Sequence, residues 1–203
     1  MVTVVGIGPG HPDFITPAAV KCIKDADVLI GGKRALEAVE KAGKQTYLVT
    51  ADIDDTLSAI SDNRDREVAV LVSGDPGFYS LLKAIKKGLP ELPIKVIPGI
   101  SSVQMLFSAI AQEWQDVQLI SVHGRPINEL DSLIKRTNKI CILTDEKLTA
   151  DKVCRYLQSS GFNGRAVVGR NLSYPDQEVI DKTIEEIAAM QSLGSSVLYV
   201  EVI

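Results

Sequence analysis

Glycine, proline, serine and a single carboxylate are concentrated at residues 73–80 (SGDPGFYS). The apolar run at residues 68–72 predicts a buried strand directly before them, and a helix is predicted to start near Tyr79. Ligands of α/β proteins bind where strands end. Gly74 lets another molecule approach the backbone closely, and Asp75 adds one carboxylate there. The stretch therefore predicts a ligand-binding turn, and the alternative is a tight connection with an N-capping acid.

The same construction recurs along the first half of the chain. Residues 6–12 (GIGPGHP) and 97–102 (IPGISS) each follow an apolar run, and Lys33 and Arg34 follow another at residues 27–30. Apolar runs and amphipathic segments alternate about five times. This order predicts a parallel sheet flanked by helices, with right-handed crossovers.

The glycine loop at residues 6–12 does not fit the common nucleotide motifs. A dinucleotide fingerprint needs a third glycine where His11 stands, and Pro9 offers no N–H to a phosphate. No Gly-Lys-Ser or Gly-Lys-Thr sequence follows, so the P-loop pattern fails as well. These failures disfavour a nicotinamide cofactor or a nucleoside triphosphate.

The second half of the chain has a different pattern after a linker at residues 112–116. Two strands, at residues 166–169 and 178–180, are separated only by a loop, which predicts a mixed sheet with an antiparallel part. We therefore predict two α/β domains, at residues 1–113 and 114–203, with the active-site cleft between them.

Composition excludes several functional classes. The 203 residues carry a net charge of −4, which disfavours nucleic acid as a partner. The three scattered cysteines and two histidines predict neither a disulfide framework nor a metal site. No apolar run is long enough to span a membrane, and the amino terminus has no basic region typical of a secretory signal. We expect a cytoplasmic protein.

Taken together, the motifs resemble the tetrapyrrole methylase family, the class III methyltransferases that use S-adenosylmethionine. The ordered set comprises residues 6–12 (GIGPGHP), 26–28 (ADV), 73–80 (SGDPGFYS), 97–102 (IPGISS) and 121–125 (SVHGR). Within the family, residues 30–34 (IGGKR) and the short chain resemble the members that methylate carbon-5 of a precorrin in cobalamin biosynthesis. The resemblance is to their stand-alone form, without a fused decarboxylase domain.

The resemblance implies how the cofactor is bound. S-adenosylmethionine would lie between two α/β domains of a homodimer, held largely by backbone groups and small residues. The residues that match the family's cofactor-binding positions are Pro9, Gly74, Asp75, Phe78, Ser101, Ser102, Leu143 and Leu172. A separate methyltransferase and decarboxylase subunit is a possible partner.

The implied substrate is a cobalt-precorrin, an acidic macrocycle with several carboxylates. Lys33, Arg34 and Arg125 follow predicted strands and are hypothesised to pair with those carboxylates; the alternative is that they are solvated surface charges. Methyl transfer from a sulfonium requires alignment rather than a catalytic dyad. Tyr79, Asp75 and His123 are candidates for assisting the departure of a proton.

Three alternatives stay open on the sequence. One is methylation at another ring position or of uroporphyrinogen, and a second is methylation of ribosomal RNA or of a translation factor. The third is a binding protein that keeps the fold without catalysis. The intact glycine loops disfavour the third.

Overall fold

A computed structural model describes residues 1–123, 127–134 and 136–203 of the chain. It divides into two compact units, Met1–Ser102 and Val103–Ile203, as the prediction of two α/β domains requires.

Five parallel strands form the sheet of the first unit. They are Val2–Gly6 (β1), Val28–Gly31 (β2), Gln45–Leu48 (β3), Val68–Val72 (β4) and Ile94–Ile97 (β5). Their order is β3-β2-β4-β1-β5, so the three inner strands are the ones whose residues are all buried. Burial on both faces explains their continuous apolar runs. Because every pairing is parallel, all five strands end on the same side, here called the carboxyl edge.

Four helices follow the strands of this sheet. They are Pro17–Asp25 (α1), Lys33–Glu37 (α2), Ile53–Asp62 (α3) and Leu82–Gly88 (α4), with a short 3-10 helix at Pro12–Phe14. A hydroxyl cap and a proline start α1: Thr16 Oγ1 accepts the N–H of Ala19 at 3.2 Å, and Pro17 follows the cap. The helix predicted to start near Tyr79 instead begins at Leu82. Tyr79 has a φ of +49°, a left-handed conformation that a helix does not accept.

The second unit contains a mixed sheet, which confirms that prediction. Except for Ser102, the first residue of α5, its elements lie wholly in this unit. They are Ser102–Ala109 (α5), Gln118–Ser121 (β6), Glu129–Ile134 (α6), Lys139–Leu143 (β7), Ala150–Ser159 (α7), Gly164–Arg170 (β8), Glu178–Thr183 (β9), Ile184–Ala189 (α8) and Val197–Val202 (β10). The strand order is β6-β7-β10-β8-β9; the β6–β7 pairing is parallel, and the other three pairings among these strands are antiparallel. A capping box starts α8: Thr183 and Glu186 each accept the other's backbone N–H.

α5 and the segment that follows it contact strands β8 and β10 of the second unit. The ring of Phe107 meets that of Tyr199 edge-on, with centroids 5.1 Å apart. Gln112 Nε2 donates to the Tyr199 hydroxyl at 2.9 Å, and Gln112 Oε1 accepts from Arg165 at 2.9 Å. The predicted domain boundary between residues 113 and 114 thus lies later in the chain than the division between the compact units.

Candidate functional site at the carboxyl edge of the first sheet

The carboxyl edge brings together the predicted site residues of the first unit. They follow four different strands, β1, β2, β4 and β5, because parallel pairing aligns the strand ends. The residues are Pro9, Lys33, Arg34, Gly74, Asp75, Phe78, Tyr79, Ser101 and Ser102.

Three glycine loops meet backbone to backbone at this edge. The N–H of Gly74 donates to the carbonyl of Gly8 at 2.8 Å, and both glycines have positive φ, +67° and +75°. A Cβ on Gly6 would lie 2.6 Å from the carbonyl oxygen of Gly74 and 2.6 Å from the nitrogen of Gly99. A Cβ on Gly99 would overlap the same Gly74 oxygen. Glycine is therefore needed at these positions for close packing of the loops themselves.

Asp75 connects two of these loops through its carboxylate. Oδ1 accepts the N–H of Gly77 at 2.7 Å, and Oδ2 accepts the N–H of Gly99 at 3.1 Å. Each carboxylate oxygen has a second lone pair for a further donor. The family resemblance implies a direct contact between Asp75 and the cofactor, which stays a prediction. The structure adds a hydrogen bond to Gly99 that the sequence does not indicate.

The turn after β4 holds two aromatic rings in contact. Phe78 and Tyr79 meet edge-on, with ring centroids 4.8 Å apart, and Tyr79 is 49% exposed. The Ser80 hydroxyl donates to the carbonyl of Pro76 and accepts the N–H of Leu82 at 3.3 Å, which closes the turn. A left-handed tyrosine costs on the order of 1–3 kcal/mol. Residues with this kind of strain cluster at functional sites, so Tyr79 stays a candidate there.

Serine and two cations complete the edge. Ser101 is 9% exposed and directly precedes Ser102, the first residue of α5. Lys33 and Arg34 occupy the first turn of α2 and are exposed. Within the described ranges, neither of these two side chains takes part in an ion pair. Both positive charges thus stand at the strand ends without a carboxylate partner from that part of the chain. Arg125, the third predicted cation, lies outside the described residues.

The remaining predicted residues belong to the second unit. Leu143 is the last residue of β7 and is half-buried. The side chain of Leu172 is buried, and its two neighbours in the sequence, Asn171 and Ser173, have left-handed backbone conformations. A Cβ on Gly169 would lie 2.9 Å from Cδ1 of Leu172. Leu172 therefore packs against β8, and a cofactor contact from either leucine stays a prediction.

His123 follows β6, and its Nδ1 lies 3.5 Å from Oδ2 of Asp145. Sequence reasoning named His123 but missed Asp145. The sequence gives no signal for this contact, because it depends on the parallel β6–β7 pairing that sets Ser121 opposite Leu143.

Other chemistry is not indicated by the described residues. No group of three His, Cys, Asp or Glu side chains among them could hold a metal ion. Burial raises the pKa of the Cys141 and Cys154 thiols to about 12, which makes both unreactive at neutral pH. No helix in the described ranges is long and apolar enough to cross a membrane.

The chain is similar to proteins of known activity. A family model of the tetrapyrrole (corrin/porphyrin) methylases matches residues 1–188. The cobalt-precorrin-7 C(5)-methyltransferase of Salmonella typhimurium is 35% identical over 88% of this chain and 89% of its own. A probable cobalt-precorrin-7 C(5)-methyltransferase of Methanocaldococcus jannaschii is 33% identical over 93% of this chain and 92% of its own.

A solved structure supports the same fold. Uroporphyrin-III C-methyltransferase from Thermus thermophilus, in complex with S-adenyl homocysteine, aligns with a TM-score of 0.76 at 18% identity. The alignment covers 98% of this chain and 96% of that one.

Proposed function

The chain belongs to the tetrapyrrole methylase family, and on that basis we propose that it transfers a methyl group from S-adenosylmethionine to carbon-5 of a cobalt-precorrin in cobalamin biosynthesis. The observation that carries the proposal is the 35% identity, over 88% of the chain, with a relative named for this C5 methylation. Methylation of ribosomal RNA or of a translation factor is not favoured, because the two curated relatives described above are named for methylation of a cobalt-precorrin.

The residues at the carboxyl edge fit S-adenosylmethionine. A Cβ added to Gly74 would meet only Ser101 Cα, at 3.6 Å, so the backbone there is open to a ligand. Both oxygens of Asp75 retain a lone pair for an ammonium group or a ribose hydroxyl. Ser101 precedes a helix amino terminus, whose N–H groups favour the carboxylate of an amino acid.

S-adenosylmethionine, when bound, supplies a methyl group already activated by its sulfonium. The work left to this chain is to orient that group toward the acceptor carbon and to exclude water. We propose that the loops after β1, β4 and β5 do so through their backbone. These loops pack so closely that a Cβ on Gly6 or Gly99 would overlap backbone atoms of the neighbouring loops.

We propose that Lys33 and Arg34 receive carboxylates of the macrocycle. Both are exposed, and neither is engaged by a carboxylate of the described residues. A charge-assisted pair formed on binding is stronger than a neutral hydrogen bond, so these cations would contribute to affinity for the substrate.

Reversing the charge of Arg34 is expected to weaken substrate binding selectively. We expect Arg34→Glu to raise KM for the cobalt-precorrin roughly tenfold, equivalent to about 1.4 kcal/mol. The dissociation constant for S-adenosylhomocysteine should stay unchanged. The control is Arg64→Glu, the same charge change on an exposed arginine beyond the end of α3. An unchanged KM in Arg34→Glu would remove this residue from the substrate site.

Calorimetric titration with S-adenosylhomocysteine tests the cofactor assignment. We expect one site with a micromolar dissociation constant, which corresponds to a binding free energy of about −8 kcal/mol. A folded protein that gives no heat of binding would contradict the methyltransferase assignment. Three further properties stay predictions: the homodimer, the cytoplasmic location and a separate decarboxylase-bearing partner subunit. Sedimentation equilibrium tests the homodimer.

A further inference from the structure

A histidine and a carboxylate meet at the ends of two neighbouring strands in the second unit. β6 and β7 are parallel, with Ser121 opposite Leu143, and His123 and Asp145 each lie two residues beyond that pair. Their side chains approach to 3.5 Å between Nδ1 and Oδ2. Parallel pairing of the two strands therefore brings the two groups together.

The backbone orients the Asp145 carboxylate. Oδ1 accepts the N–H groups of Lys147 at 2.8 Å and Leu148 at 2.7 Å, which leaves Oδ2 directed to His123. The pKa of the Asp145 carboxyl is lowered, chiefly because its carboxylate accepts a hydrogen bond from the N–H of Leu148. Burial acts in the opposite direction and raises the pKa. Asp145 is therefore a fixed negative charge at neutral pH, with one oxygen committed to the turn.

His123 is held at its backbone and accessible at its ring. Its N–H donates to Ser121 Oγ at 3.2 Å, while its side chain is 83% exposed. A carboxylate beside Nδ1 favours the tautomer with the proton on that nitrogen, which leaves the Nε2 lone pair to accept a proton. Exposure lets the imidazolium release that proton to water.

We propose that His123 accepts the proton lost after methyl transfer and that Asp145 is its positioning residue. This inference rests on the proposed function. The acceptor carbon uses its enamine electron pair to bond the methyl carbon, and the electrons of the C–S bond remain on sulfur. The macrocycle then carries one added positive charge. Loss of a proton to Nε2 of His123 returns that bonding pair to the ring, and Asp145 stabilises the imidazolium formed.

The test compares steady-state turnover of the cobalt-precorrin in two variants of the full chain, because kcat includes the proton loss that follows methyl transfer. General acid–base groups contribute about 10²- to 10⁴-fold, so we expect His123→Ala to lower kcat about a hundredfold, with KM for the cobalt-precorrin unchanged. Free imidazole should restore part of this rate, which a merely structural role would not allow. Asp145→Asn keeps an acceptor oxygen for Lys147 and Leu148 but removes the charge, and we expect about a tenfold loss of kcat.

Glu178→Gln is the matched control. It removes an exposed carboxylate that pairs with Arg170 at 2.9 Å in the same sheet, and it should leave kcat unchanged. If the wild type is active and His123→Ala has the same kcat, this inference is overturned and the proposed function stands. The same holds if His123→Ala has a lower kcat that free imidazole does not restore. A wild type that binds S-adenosylhomocysteine but methylates no cobalt-precorrin overturns the proposed function, and this inference with it.

Discussion

The Gly99→Ala variant is expected to bind S-adenosylhomocysteine far more weakly than the wild type does. The added Cβ would overlap the carbonyl oxygen of Gly74 and lie 2.8 Å from the carbonyl carbon of Gly6. These are backbone atoms, so no side-chain rotation relieves the overlap and the three loops must move apart. We expect affinity to fall about a hundredfold or more, which is at least about 2.7 kcal/mol. Overpacking of this kind also destabilises the fold by about 1–3 kcal/mol.

Gly32→Ala is the matched control for this prediction. Gly32 follows β2 at the same carboxyl edge, its φ of −63° suits any residue, and a Cβ there meets nothing within 4 Å. We expect its binding and its melting temperature to equal those of the wild type. The melting temperature of Gly99→Ala should fall by roughly 2–4 °C for each kcal/mol by which its free energy of unfolding decreases. Full binding by Gly99→Ala would show that the close packing of the loops is not required for the site.

Removal of the Asp75 carboxylate is expected to weaken cofactor binding through the loops it connects. Asp75→Ala leaves the partly buried N–H of Gly99 without its acceptor, and a buried unsatisfied donor costs about 1–3 kcal/mol. We expect S-adenosylhomocysteine to bind at least about tenfold more weakly, in the same calorimetric titration. Asp75→Asn should have an intermediate affinity for S-adenosylhomocysteine. Its amide oxygen can still accept one of the two backbone N–H groups, but its NH₂ group is itself a donor and cannot accept the other.

Asp65→Ala is the control for the loss of an exposed carboxylate outside the carboxyl edge. The effects of Asp75→Ala and Gly99→Ala should be less than additive in the double variant, because both disturb the same contact. Additive effects would indicate that Asp75 acts on the cofactor independently of Gly99. Unchanged binding in Asp75→Ala would exclude both roles.

The sequence predicts most of the fold because burial leaves a local signature. β4 has the bounds that its apolar run at residues 68–72 predicts, since an inner strand of a covered sheet needs apolar residues on both faces. The capping residues Thr16 and Thr183 likewise mark helix starts locally. The start of α4 is not predictable in this way. The left-handed Tyr79 results from a turn held by Ser80, and its own sequence suits a helix.

The candidate site is predictable only where a single loop carries the signal. Glycines at strand ends indicate that another group approaches the backbone closely. The structure shows that, at Gly6 and Gly99, this group is the backbone of another glycine loop. The bond from Asp75 to Gly99 and the contact between His123 and Asp145 depend on which strands are neighbours in the sheet. Neither segment contains that information by itself, so these pairs require the tertiary structure.

Transfer of a labelled methyl group tests the central claim most directly. The protein would be incubated with cobalt-precorrin and S-adenosylmethionine that carries ¹³C in its methyl group, and the position of the label in the product would be read by NMR. The proposed function predicts one labelled methyl on carbon-5 and one S-adenosylhomocysteine per product. A label on another ring carbon, or no labelled product from a protein that binds the cofactor, would contradict it.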